Sequence, residues 1–244
     1  MSRELRVFPV EGMPEVAEGD RVGELIAERA QLEDGDIVVI SQKIVSKAEG
    51  RVRRLSDVAP SERAIELAKK LGKEARLVEL VLSESREVLR SERVLITETH
   101  HGFVCANAGI DSSNLPEGGA VCLLPEDPDG SARQIRAEIG NRIAVVIADS
   151  FGRAWRLGQA EVAIGCAGLL PLDDWRGRLD ASGRELSATV IATADEVAAS
   201  ADLVRSKDEG IPAAVVRGIS HYVGAEDGPG ATVLRRPPGE DLFR

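Results

Sequence analysis

Residues 143–159 read IAVVIADSFGRAWRLGQ, and the first five of them decide what must surround this stretch. Ile143, Ala144, Val145, Val146 and Ile147 form an unbroken apolar run rich in β-branched side chains, the pattern of a buried strand. The run stops at Ala148-Asp149-Ser150 and gives way to a glycine turn, followed by Arg153, Trp155 and Arg156. A carboxylate and a hydroxyl at a strand end are hard oxygen donors that suit Mg²⁺ or Mn²⁺. Arg153 and Arg156 can grip phosphate or carboxylate, and one of them is expected to orient an acidic substrate. Metal, phosphate and carboxylate together point to a nucleotide-dependent reaction at an acid group. A helix N-cap is the competing reading of Asp149-Ser150.

Working outward, two more segments place polar donors beside a strand. Residues 37–40, IVVI, are a second continuous apolar run, followed by Ser41-Gln42-Lys43 and Ser46-Lys47. Lys43 and Lys47 are four apart and share a face if this segment is helical, which makes a phosphate grip; a solvated face is the alternative. Residues 107–114, NAGIDSSN, form a polar loop after a strand. There Asp111 is a candidate metal ligand and Asn114 a candidate partner for a base or sugar, against an Asx-type turn. His100 and His101 are read as a surface turn, Trp155 as a core anchor, and Gly165 and Gly168 as points of close packing.

Strands are also expected at 5–10, 94–97, 102–106, 121–124, 187–194 and 213–216. Helices are expected at 24–30, after the Ser61 cap, at 74–83, 131–139 and 196–204. The alternation is irregular, so the fold class is α+β with a mixed sheet, in one domain over 1–244. No GxxxxGK[ST] and no GxGxxG occurs, so any nucleotide site is built another way.

The bulk properties narrow the function. With 43% hydrophobic and 30% charged residues the chain is an ordinary globular one. A net charge of −10 repels a polyanion, and 3% aromatics leave few base-stacking platforms, so no nucleic-acid partner is expected. The three cysteines, Cys105, Cys122 and Cys166, lack zinc-ligand spacing and read as buried reduced thiols. Neither a signal peptide nor a stretch of about 20 apolar residues appears, so no membrane partner and a cytoplasmic location are expected.

These motifs add up to a resemblance. VVISQKIVSKAEG at 38–50, ITET at 96–99 leading into GFVCANAGID at 102–111, LPEDPD at 124–129 and DSFGRAWRLGQ at 149–159 resemble, in order, the motifs of the coenzyme F420-0:L-glutamate ligase family. The likeness runs over about 7–218. It implies a GTP-dependent ligase that adds L-glutamate to coenzyme F420-0 and extends the tail through γ-linkages by way of an acyl phosphate. It implies the family's own mixed-sheet fold, an intertwined homodimer, two divalent ions (Mg²⁺ or Mn²⁺) and K⁺. By motif, Asp111 and Asp149 resemble ligands of one divalent ion and Ser150 a ligand of a second. Met13, Pro14, Glu15, Val16, Gln42, Lys47 and Asn114 resemble GTP contacts, with Lys47 assisting at the phosphates. Ser206 and Lys207 resemble the stretch that completes the nucleotide and second-metal site.

Three positions depart from the family pattern: Ser150 stands where threonine is commoner, Gln42 where serine is usual, and His100 where arginine is frequent. The additional C-terminal flavin-type domain of some relatives is not expected in a chain of this length. Two other readings stay open: a ligase for another acid and amine, and a non-catalytic GTP- and metal-binding sensor.

Overall fold

The computed structural model describes residues 4–113, 119–140, 142–206 and 208–241; Asn114 and Lys207 lie outside the described residues. The strands are β1 (Arg6–Pro9), β2 (Ile37–Ser41), β3 (Val52–Arg54), β4 (Ser85–Ser91), β5 (Leu95–Thr99), β6 (Val104–Ala106), β7 (Ala120–Cys122), β8 (Ala144–Arg153), β9 (Arg156–Ala167), β10 (Asp173–Asp174), β11 (Val190–Ile191) and β12 (Ala213–Arg217). The helices are α1 (Val22–Ala27), α2 (Gln42–Ala48), α3 (Glu62–Leu71), α4 (Ala75–Ser83), α5 (Pro128–Ile139) and α6 (Thr193–Asp202).

A five-stranded sheet in the order β1-β12-β2-β8-β9 organises the molecule. β2 and β8 run parallel and every other neighbouring pair is antiparallel, so the fold is α+β with a mixed sheet. The central strands carry continuous apolar runs, at 37–40, 144–148 and 213–216, because both faces are covered there. Val38, Ile40, Val145 and Ile147 pack with α1, α2 and α5 on one face. Ile37, Val39, Ala144, Val146 and Ala148 pack with α6 on the other. Residues of α3 and α4 form a separate core with Leu95 of β5 and Ala108.

Local chemistry sets the helix ends. Ser61 caps α3 by accepting the Ala64 amide at 3.2 Å, and Gly72 ends it in the left-handed region at φ 62°. Asp127 caps α5 by accepting the Gly130 amide at 3.0 Å, with Pro128 in the first turn. Gly165 is where α5 crosses β9: a Cβ there would sit 2.3 Å from the Pro128 carbonyl oxygen. One at Gly168 would strike the Arg136 guanidinium at 2.5 Å.

Three expectations need correction. The strand at 143–147 runs on past Asp149 to Arg153 and returns as β9, so Gly152 is inside a hairpin arm rather than a turn. The strand expected at 187–194 shrinks to Val190–Ile191, because α6 already starts at Thr193. Ser85–Ser91 pairs with β5 although its sequence, SREVLRS, lacks apolar alternation; it lies at the border of a three-stranded sheet, where one face stays wet.

Candidate active site

The site follows from strand direction. β2 and β8 are parallel and in register at Ser41 and Ala148, so the C-terminal end of β2 lies beside the stretch of β8 that leads into Asp149 and Ser150. β12 runs the other way, with Ala213 beside Ile40, and so brings the loop before it to the same edge. The stretch after β1 follows, since the Val10 amide donates to the Ala213 carbonyl at 2.9 Å. β9 adds its N-terminal half, with Glu161 opposite Ser150. Ligands favour such an edge, where strand ends open a crevice between diverging connections.

A cavity of about 660 Å³ occupies this edge. Its walls carry Met13, Pro14, Glu15 and Val16 after β1, Lys43 and Lys47 of α2, and Asp149 and Ser150 of β8. Arg205 and Ser206 come from the loop before β12. The third core closes the top with residues 105–113, including Asp111. Asp111 is aimed by backbone: it exchanges two hydrogen bonds with Cys122, at 3.1 and 2.8 Å.

Charges in the cavity meet one another through side chains. Lys43 Nζ lies 2.8 Å from Asp111 Oδ2 and also donates to the Ser113 hydroxyl. Lys47 Nζ reaches Glu15 Oε1 at 2.6 Å. The Ser150 hydroxyl donates to Glu161, and Arg205 Nη2 holds the other Glu161 oxygen at 3.1 Å. Burial alone would raise the Asp111 carboxyl, but hydrogen bonds from Lys43 and from the Ser113 amide bring it below the usual carboxylate range. Asp149 goes the other way. Burial, then the nearby Glu161 and Asp111 charges, push its carboxyl up to about 7. Cys105 lines the same wall, and burial beside Asp149 drives its thiol to about 12, so it stays a neutral thiol.

The donor set fits a hard divalent cation. Asp111, Asp149 and the Ser150 hydroxyl are all oxygen donors on one cavity, and Asp149 is an acid whose ionisation a cation would relieve. Among the described residues no three His, Cys, Asp or Glu side chains gather closely enough to hold a metal alone. Two carboxylates and a hydroxyl therefore leave positions for water and substrate oxygens, the habit of Mg²⁺ at phosphate sites.

Of the residues singled out in the sequence, Met13, Pro14, Glu15, Val16, Lys47, Asp111, Asp149, Ser150 and Ser206 share this cavity. Gln42 does not: its side chain is buried beneath α2, where Oε1 accepts the Ser46 hydroxyl at 2.8 Å. Arg153 and Arg156 do not line it either; they are exposed at the tip of the β8–β9 hairpin. The strand continues four residues past Asp149, and at about 3.3 Å per residue this carries Arg153 roughly 13 Å along the ladder. Trp155, read as a core anchor, is 88% exposed at the same tip. His100 is exposed as expected, but the half-buried His101 bonds the Pro125 carbonyl at 2.9 Å and stacks on Phe103. Glu161 and Arg205 are cavity residues that sequence reading missed. Glu161 had one signal, a lone acid eleven residues after Ser150, which matters only once the hairpin register is known.

Comparison with known proteins points to one family. A family profile described as F420-0:Gamma-glutamyl ligase matches residues 12–218. The protein named Coenzyme F420:L-glutamate ligase from Archaeoglobus fulgidus is 49% identical over 221 residues, 88% of each chain. Its namesake from Methanothermobacter thermautotrophicus is 46% identical over 98% of this chain and 99% of its own. That from Methanocaldococcus jannaschii is 44% identical over the whole of both.

Proposed function

The chain belongs to the F420-0:gamma-glutamyl ligase family, and from that premise we propose that it joins L-glutamate to coenzyme F420-0 at the expense of GTP and then extends the tail through γ-linkages. The observation that carries this reading is that Asp111, held by its bridge to Cys122, and Asp149 of β8 line one cavity that also holds Lys43 and Lys47.

A carboxylate resists amine attack because its oxygen is a poor leaving group. Transfer of the GTP γ-phosphoryl group to that carboxylate forms an acyl C–O–P link and releases GDP. The glutamate amine then attacks the acyl carbon, the C–O bond breaks with release of phosphate, and the amine sheds a proton to solvent or a nearby base. Asp111, Asp149 and Ser150 would hold the divalent ions, which would neutralise charge at the phosphoryl oxygens. Lys47 would exchange Glu15 for a phosphate oxygen, and Lys43 would give up Asp111. Residues 13–16 and Ser206 would border the nucleotide, with Asn114 and Lys207 as further contacts by motif. K⁺ would assist, as the motifs imply.

The reading includes a cytoplasmic homodimer in which the β8–β9 hairpin is the intertwining arm. Leu157, 97% exposed, stands with Trp155 on a stiff two-stranded arm, an apolar tip that a second copy would cover. The arm would then deliver Arg153 and Arg156 to the acidic substrate beside the partner's cavity.

Incubation with F420-0, L-glutamate, GTP and Mn²⁺, read by product mass, tests the activity. Successive additions of one glutamyl unit with matching GDP release support it. Unchanged F420-0 beside an active relative overturns it, and GTP binding without GDP release identifies a sensor instead.

A further inference from the structure

One acid and one base in the cavity have no task in the reaction just described. Glu161 and Arg205 are each 7% exposed, and both line the cavity wall. Glu161 stands opposite Ser150 in the antiparallel register of β8 and β9. Its Oε1 accepts the Ser150 hydroxyl, and its Oε2 lies 3.1 Å from Arg205 Nη2. Arg205 arrives from the loop between α6 and β12, and its Nη1 makes a 3.4 Å contact with the Pro212 carbonyl. Its Nε has no acceptor among the described residues. Stability gives little reason for such a pair. Desolvating two ions costs about what their attraction returns, and an orphaned buried donor adds a further penalty.

We propose that the Glu161–Arg205 pair sets how tightly the cavity holds a divalent cation: Glu161 turns the Ser150 lone pairs toward the cation, and Arg205 cancels the Glu161 charge. The proposal rests on Ser150 being a ligand of a divalent cation in the cavity that Asp111 and Asp149 also line. A hydroxyl whose proton is committed to Glu161 turns its lone pairs away from that carboxylate. Orientation of this kind, by a partner behind the ligand, governs metal affinity elsewhere. Charge counting gives Arg205 its part. Without Arg205, Glu161 would add an uncompensated negative charge to a wall that already carries Asp111 and Asp149, favouring a cation and opposing an anionic nucleotide. Glu161 and Arg205 are thus positioning residues, acting through Ser150 and through the local field.

The test is Mn²⁺ binding to the full-length protein without nucleotide, followed by the electron paramagnetic resonance signal of free Mn²⁺. Glu161→Gln is expected to loosen Mn²⁺ by about tenfold or more. Arg205→Met is expected to tighten it by about threefold or more and to weaken GTP binding. The double variant should return to within about threefold of the parent, and Arg205→Lys, which keeps the charge, to within about twofold. A purely structural pair predicts the opposite: both single variants bind Mn²⁺ more weakly and the double variant worst of all. That result, or single variants indistinguishable from the parent, overturns the proposal. If Arg205→Met fails to fold, Arg205→Lys and the double variant still decide it. A parent protein that binds no Mn²⁺ removes the ligand assignment and this proposal together; a binding parent with unresponsive variants removes this proposal alone.

Discussion

The two ends of the central sheet handle charge differently. At the end away from the cavity, where Arg217 pairs with Asp36 and Glu33, the charged side chains of α5 are anchored largely to backbone. Asp129 accepts the Cys166 amide at 2.9 Å, the Ala231 amide at 2.7 Å and the Thr232 hydroxyl at 2.8 Å. Arg136 donates to the Ile143 and Gly224 carbonyls at 2.8 and 2.7 Å and pairs with Asp227. These bonds tie α5 to β9, to the start of β8 and to the C-terminal segment, and they part only if the chain moves. At the cavity end, charge is paired with charge through side chains: Lys43 with Asp111, Lys47 with Glu15, Arg205 with Glu161. Such pairs can be exchanged for a ligand while the backbone stays in place. The comparison separates what holds the molecule together from what it can offer a substrate.

The sharpest way to break this division is Asp149→Asn. Turnover should fall by about a thousandfold, because a cation ligand is lost where phosphoryl charge develops. In chelator-treated protein at pH 8 the same change should raise Tm, since it removes an acid that burial makes costly to ionise. A variant of undiminished turnover would remove Asp149 from the chemistry.

Next in size is Asp129→Ala, which strands the amides of Cys166 and Ala231 and should cost about 2–4 kcal/mol. Thermal unfolding should show a Tm lower by about 2–4 °C per kcal/mol, with kcat at low temperature unchanged. A fall in kcat without a fall in Tm would erase the distinction between the two ends.

A pH series sharpens it further. The folded Asp149 carboxyl, near 7, lies above its ordinary value of 3.8. Between those two values the folded chain keeps a proton that the unfolded chain has released. In chelator-treated protein this contribution is complete below about pH 4 and is lost as pH rises toward 7. Asp149→Asn should flatten that slope, as seen in Tm across the series; an unaltered slope would assign it to other groups.

Lys47→Met should raise the GTP KM by about tenfold and leave Tm within about 2 °C, because its pair with the exposed Glu15 carboxylate contributes little to the fold. The smallest effect is expected from Ser61→Ala. It removes the α3 cap at a cost of about 1 kcal/mol, with no change in turnover.

Much of this was legible in the residues. The runs at 37–40 and 143–147 announced doubly covered strands, and Lys43, Lys47, Asp111, Asp149 and Ser150 were recognisable as polar groups beside strand ends. Arg153 and Arg156 follow Asp149 closely in the chain yet do not line its cavity, because a strand that continues carries its next residues away. Glu161 and Arg205 were hidden for the converse reason: one is brought back by antiparallel register, the other by a loop returning from α6.

Sequence alone, then, marked the buried runs at 37–40 and 143–147 and the oxygen and cation groups beside them, since apolar runs and caps are properties of a few consecutive residues. Tertiary structure alone decided that Asp111 lines the same cavity as Asp149, that Ser150 leans on Glu161 and that Arg205 closes the chain of contacts. Those meetings depend on strand direction and register, which hydrogen bonds between distant segments set.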